Sequence, residues 1–320
     1  MAKAASTHID KAAIRRERFR LFARSMRNNW RLFMASKIGP IGLGIIIFFA
    51  LFSLSYPAYM AYRHNNQIYD PVMGFDYDLM PATNPHPPTP SHPLGTDAYG
   101  RDILSQLMYS TGHDLLLGLI AAGAGVFLAT LVGSIAAFYG GFVDAFFMRV
   151  ADLVMLFPLL ATLVALSAMT KVSLFMLALI LAILTGFGGT AIVLKSQALQ
   201  VKVKPFIEAA RVSGGSNFHI IWSHIVPNVL PLSFLYMMFS VTGAIFTEAA
   251  LAFLGFLNVK MSLGMIIQYA RSSGYLVGRL MVPYWYMWLP PGLVISLLCA
   301  GFYFIGRGLD EVVNPRLRER

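Results

Sequence analysis

The sequence predicts an all-α polytopic membrane protein with six transmembrane helices. Three observations carry that class. Of the 320 residues, 57% are hydrophobic and 12% charged, where a soluble domain carries about 25% charged residues. Several apolar runs approach or exceed the ~20 residues that cross a bilayer as a helix. The runs are continuous, unlike the alternating ~10-residue segments of a membrane β-barrel.

The first element is a basic tail, residues 1–37, which holds ten of the 25 Lys and Arg residues. The net charge of +10 thus gathers ahead of the first apolar run, as a positive-inside signal does. That distribution argues against a nucleic-acid partner and for membrane lipid. Phe19, Phe22, Met26, Trp30 and Phe33 fall at helical spacing on one face, and Arg16, Arg20, Arg24, Arg27 and Arg31 occupy much of the rest. Two readings stay open for this tail: a helix lying on an anionic membrane surface or a partner, or a plain topology signal. The basic region is too long for a cleavable signal peptide, and no small-residue cleavage site follows it. The single cysteine, Cys299, sits in an apolar run and reads as small apolar filler, so no disulfide framework forms within the chain.

The first span is residues 38–56. Residues 57–114 read as an extracytoplasmic segment, made extended and irregular by Pro81, Pro85, Pro87, Pro88, Pro90 and Pro93. Residues 115–320 form a five-helix core. Its first helix, 115–138, carries Gly118, Gly123, Gly125 and Gly133 among many alanines, which let neighbouring helices approach closely. The third span, about 150–169, contains Pro158. The fourth, about 172–194, has Gly186, Gly188 and Gly189 near its end. The fifth is about 229–253, and the sixth, after a loop at 255–284, is about 285–305. With the N-terminus inside, both termini and the loop 195–228 are cytoplasmic. Nineteen of the 25 basic residues then lie inside and six outside.

Between the fourth and fifth spans lies a polar island, KPFIEAARVSGGSNFHIIWSHIVPN, Lys204 to Asn228. It reads as helix, glycine turn, helix. Pro205 suits the first turn of a helix. Ser213, Gly214 and Gly215 end that helix, because Gly accepts the φ > 0 of a C-terminal cap. Ser216 or Asn217 can N-cap a second helix, and Pro227 is expected to end it. Glu208 has Arg211 at i+3 as a local partner, or offers its charge to another chain. His219 and His224 lie five apart, a spacing that does not share a face of a regular α-helix.

Glu208-Ala209-Ala210, three residues, Gly214, then Ser216, His224, Pro227 and Asn228 resemble the EAA loop of ABC-importer permeases. The stretches HPLGTDAYGRDILSQ, AAFYGGFVDAFFMRVADLVMLFPLL, TEAALAFLGF and GRGLDEVVNPRLR resemble the "C" permease of dipeptide and oligopeptide importers. The resemblance covers residues 91 onward and implies a type I importer permease fold. In that family the island forms coupling helices that dock on a cytoplasmic ATPase, which nominates Glu208, Ala209, Ala210, Arg211, Gly214, Ser216, His224 and Pro227. It further implies a second homologous permease subunit, two P-loop ATPase subunits that hold ATP and Mg, and an extracytoplasmic solute-binding protein. The cargo implied is di- or oligopeptide; the same permease type also carries oligosaccharide, nickel or glutathione. The chain departs from the subfamily in places. Gln106 stands where Arg is usual, and the usual G-x-R-x-S is here Ser110, Thr111, Gly112, His113, Asp114.

Arg101, Asp102, Asp114, Asp152 and Glu248 lie near the spans. Charges at membrane depth are costly unless paired or wet. Asp152 has Arg149 at i−3, and Glu248 is open to a structural or a pathway role. Arg101 and Asp102 are expected to organise an outer amphipathic helix. The sequence has no P-loop, no HExxH and no cysteine pair, so the chain is not expected to be an enzyme or to hold a cofactor or metal. A gradient-driven transporter and a membrane-embedded enzyme are the rival classes.

Overall fold

A computed structural model describes residue 24 and residues 27–63, 66–76 and 85–313. Phe19, Phe22 and Met26 of the amphipathic tail lie outside the described residues. The described part of α1, residues 27–35, leaves Trp30 exposed and buries Phe33. The Phe33 ring fills the space that side chains would need at Gly39 and Gly308. It thereby pins the tail to the junction of the first and last spans.

Helices α2 (Gly39–Leu54) and α3 (Tyr56–Arg63) together make the first span. After the one-turn α4 (Asn66–Tyr69) the described residues before α5 (Ile103–Tyr139) form no regular helix. At 37 residues α5 begins well before residue 115. The reason is local. The Asp102 carboxylate accepts the Ser105 amide at 2.8 Å and the Ser105 hydroxyl at 2.7 Å, an N-cap that starts the helix early. The amphipathic helix expected at Arg101 and Asp102 is therefore the outer part of the span itself.

The third and fourth spans are each a bent pair. Helices α6 (Gly141–Leu156) and α7 (Leu159–Met169) meet at 79°, where Pro158 breaks the ladder. Helices α8 (Leu174–Phe187) and α9 (Gly189–Lys202) meet at 41° about Gly188. Then come α10 (Pro205–Val212), α11 (Asn217–Ile220), a π-turn (Ile221–Ile225) and α12 (Val226–Leu254). The chain ends with α13 (Leu263–Ser272), a 3-10 turn (Gly278–Met281) and α14 (Trp285–Val313). Among the described residues four helices are long and apolar enough to span a membrane, and the two bent pairs bring the number to six.

Helix α5 is the hub of the bundle. Any side chain at Gly125 would meet the backbone of Ala182 on α8, and one at Gly133 would meet the backbone of Ala191 and Lys195 on α9. Gly118 takes the side chains of Val241 and Ile245 on α12. Gly123, by contrast, faces open space. Side-chain bonds join spans across the core, among them Thr130 Oγ1 to Ser233 Oγ at 2.8 Å and Thr242 Oγ1 to the Cys299 carbonyl at 3.3 Å.

The end of the bundle where α5 begins is closed by a polar cap. His92 is wholly buried, with Nδ1 2.9 Å from Asp102 Oδ1 and Nε2 3.1 Å from Asp76 Oδ2. A carboxyl group on each side of the ring suits two donating nitrogens, the arrangement an imidazolium offers. Burial pushes its pKa down, but the bonds and charges of Asp102 and Asp76 outweigh that, leaving it above the ordinary 6.5. Beside it the Arg101 guanidinium grips Asp97 at 2.6 Å, and Gln106 donates to the same carboxylate at 2.9 Å. Tyr286 of α14 closes the layer by donating to the Pro85 carbonyl at 3.0 Å.

A raised folded-state pKa means stabilisation that is complete below 6.5 and is lost as pH rises through the raised value. The protection of the amides of residues 85–102, their exchange taken relative to the base-catalysed rate of a free amide at the same pH, should therefore fall on going from mildly acidic to alkaline pH. In His92→Gln it should be low throughout, the cap having lost roughly 3–5 kcal/mol. Protection that does not change with pH in the unsubstituted protein would refute the imidazolium.

Candidate functional site

The polar island folds as a compact knob at the other end of the bundle. Lys204 leads into α10, with Pro205 at its first turn. The helix ends as its residues dictate. Gly214 adopts φ +80°, and the amides of Ser213, Gly214 and Gly215 return at 3.0 Å to the carbonyls of Ala209, Arg211 and Ala210. Ser216 then caps the next helix by accepting the His219 amide at 3.3 Å.

Four isoleucines anchor the knob. Ile207, Ile220, Ile221 and Ile225 are buried in one cluster with Phe138 of α5 and Leu194, Ala198 and Val201 of α9. Ala210 packs against the same cluster. Two polar ties hold the helices beneath it. Lys195 on α9 pairs with Asp144 on α6, and Lys202 Nζ donates to the Ala137 carbonyl at 2.9 Å.

The opposite face of the knob is exposed. It presents Glu208, Ala209, Arg211, Gly214 and Ser216. Around them stand Val212, 90% exposed, and Phe218, 74% exposed, with Phe218 stacked on Trp222 at 6.3 Å between rings. Large apolar side chains held in water by a fixed scaffold are the mark of a protein-docking surface. A ring of charges and small residues around them provides orientation and close approach.

One local expectation is corrected, and two contacts that the sequence left open are defined. The Glu208–Arg211 pair does not form. Arg211 instead lies 5.9 Å over the Phe138 ring, leaving the exposed Glu208 clear of it. Pro227 does not end a helix. The helix runs from Asn217 to Leu254, and Pro227 sits in the first turn of α12 behind the π-turn. The wider turn relieves the clash between the proline ring and the preceding carbonyl, and the proline's missing N–H falls where the hydrogen-bond register has already shifted. The same turn brings residues five apart onto one face, so the His219 and His224 rings touch edge to face at 5.6 Å. Phe206 packs against His224 at 6.3 Å. Among the described residues no three His, Cys, Asp or Glu side chains gather as metal ligands.

The intramembrane candidates part company. Asp152 is exposed and 3.7 Å from Arg149, an open-surface ion pair. Glu248 is wholly buried on α12, where it interacts with Asp114 of α5, which is also wholly buried. The π-turn, the His92 network and the Asp114–Glu248 juxtaposition were not read from the sequence. A proline inside an uninterrupted apolar helix pattern was the available sign of the first; the other two join residues far apart in the chain.

A family profile described as "Binding-protein-dependent transport system inner membrane component" matches residues 129–319. The chain is 30% identical to the oligopeptide transport system permease protein OppC of Haemophilus influenzae, over 97% of this chain and 95% of that protein. It is 29% identical to OppC of Bacillus subtilis, over 90% and 88% of the two chains. Dipeptide transport system permease protein DppC of Bacillus subtilis is 29% identical over 72% of this chain and 71% of its own.

The anchoring can be tested apart from activity. Ile207→Ala should cost the knob about 2–5 kcal/mol, and Ser216→Ala about 1 kcal/mol. Both should appear as faster amide exchange confined to residues 204–225, with the spans unchanged. Exchange that quickens along α5 and α9 as well would mean that the knob and bundle open as one unit.

Proposed function

The chain belongs to the family of binding-protein-dependent transport system inner membrane components, and on that premise we propose that it is the transmembrane subunit of an ATP-driven importer of di- and oligopeptides. The observation that carries the proposal is the knob. Its inner face is welded to α5 and α9, and its outer face displays Glu208, Ala209, Arg211, Gly214 and Ser216 beside unpartnered apolar rings. That is the form expected of a coupling element that docks on a separate ATPase. Ala209 and Gly214 keep the surface low, so another backbone can come close. Glu208 and Arg211 supply a charge of each sign for register. His224 and Pro227, on the π-turn and just after it, support the geometry from behind.

The segments read as inside from the sequence, the knob among them, hold nineteen of the 25 basic residues, which orients the chain. Both termini and the knob are then cytoplasmic, and the His92 cap faces out, where a solute-binding protein would deliver cargo. The bends at Pro158 and Gly188 leave Met155, Phe157 and Leu159 on an exposed apolar face within the bundle region. That face suits a second, homologous permease subunit across a shared path. ATP and Mg belong to two P-loop subunits, and this chain does no chemistry on them. Nucleotide drives alternating access because it binds one ATPase arrangement better than the other, and the docked knob ties that preference to the spans. Peptide as cargo rests on the names of the relatives.

Glu208→Lys and Gly214→Trp should each abolish peptide uptake and transport-coupled ATP hydrolysis in the assembled complex, while the chain still reaches the membrane. Pull-down of the unsubstituted chain should bring P-loop subunits with it, and the two variants should lose them. Uptake that persists in both variants, or that survives ATP depletion and collapses with an ionophore, would remove the proposal.

A further inference from the structure

Asp114 and Glu248 are both wholly buried, on antiparallel spans. Gly118 lies against Val241 and Ile245. One turn outward on α5 is Asp114, and one turn outward on α12 is Glu248. The start of α13 lies over the pair. The Leu263 amide donates to Asp114 Oδ2 at 3.2 Å, and Gly264 presses on the backbone of Ala249. The charge of Glu248 is within electrostatic reach of Asp114.

The other oxygens lack donors. Asp114 Oδ1 and both oxygens of Glu248 reach no hydrogen-bond partner at normal length, although Ser262 lies beside Glu248. Ser110, one turn from Asp114 on the same face of α5, is wholly buried and its hydroxyl is likewise unpartnered. Among the described residues no cation answers them. Arg101 is committed to Asp97 and lies between the Tyr99 and Tyr269 rings. Arg271 donates to the Phe253 carbonyl, and Lys260 is exposed. His113 turns its Nδ1 to the Tyr109 carbonyl. Helices α2, α7 and α8 carry no titratable side chain.

We propose that Asp114 and Glu248 together bind a proton between α5, α12 and the start of α13, and that this proton holds the three elements closed. Two like charges this close cannot both persist away from water. The available oxygens are too few for the six to eight that a calcium ion takes, whereas one proton turns a repulsion into a hydrogen bond. The Ser110 hydroxyl is placed to complete that network. Loss of the proton returns the repulsion and loosens α13, the element whose first amide Asp114 holds.

The test is infrared spectroscopy of the full chain in lipid at stepped pH. A protonated-carboxyl band that shifts in D2O is expected at neutral pH. It should vanish in Glu248→Gln and vanish or shift in Asp114→Asn. As it titrates away, the protection of the amides of residues 263–272, their exchange taken relative to the base-catalysed rate of a free amide at the same pH, should fall about tenfold per pH unit. In Asp114→Asn that loss of protection with pH should disappear. Asp114→Ser, which keeps an acceptor for the Leu263 amide, serves if the asparagine variant does not fold. The proposal is overturned by absence of the band from pH 5 to 9, by a band indifferent to either change at Asp114, or by closure that follows sodium or potassium at fixed pH. None of these readouts depends on transport.

Discussion

The bundle depends on how closely backbones approach α5. In lipid the helices gain little from hydrophobic burial against one another, so packing and interhelical bonds must hold them. Gly125 and Gly133 remove side chains where the backbones of Ala182, Ala191 and Lys195 come in. Ala121, Ala122, Ala129 and Ala136, each almost wholly buried, keep the rest of that surface low. Everything that positions the knob follows from this. Helix α9 lies against α5 at Gly133, and α9 carries Leu194, Ala198 and Val201 into the cluster that seats the four isoleucines.

The π-turn gives that seat a mechanical consequence. Had Pro227 stopped the helix, the knob would hang on a loop and its motion would die there. Instead one helical run of 38 residues links Asn217 in the knob to Leu254 at the far side, roughly 57 Å at 1.5 Å per residue. Ser233, Thr242 and Glu248 lie along it, contacting α5, α14 and Asp114 respectively. A displacement of the knob is thus a displacement of the helix that meets all three.

What could be read in the sequence was whatever is set by neighbours in the chain. The apolar runs, the small residues of α5, the break at Pro158, the Gly214 turn and the Ser216 cap are local. So is the amphipathic balance that marks the knob. The span starts were less legible, because Asp102 caps α5 within a segment that reads as loop. The packing of His219 on His224 was hidden for a different reason: a turn of wider pitch changes which residues share a face. His92 with Asp76 and Asp102, and Asp114 with Glu248, had no local sign at all. Only the fold brings 134 residues of separation to one contact.

That last pair also explains why a departure from the resembled subfamily matters. The G-x-R-x-S stretch would place a serine at 114, and a serine hydroxyl there satisfies the Leu263 amide while remaining neutral. Asp114 makes the same bond through Oδ2, yet leaves Oδ1 buried without a donor and facing a second carboxylate. The same stretch replaces the usual arginine with Gly112, whose position is closed off by Ser53 of α2. The arginine that the resemblance would place on the α2 side of α5 is absent, while Asp114 faces α12 and α13 on another side of the helix. A buried charge with no counter-charge is resolved in proteins by neutralisation rather than endured. On the proposal above, an aspartate at 114 in place of a neutral serine makes this helix contact one that is closed while a proton is held.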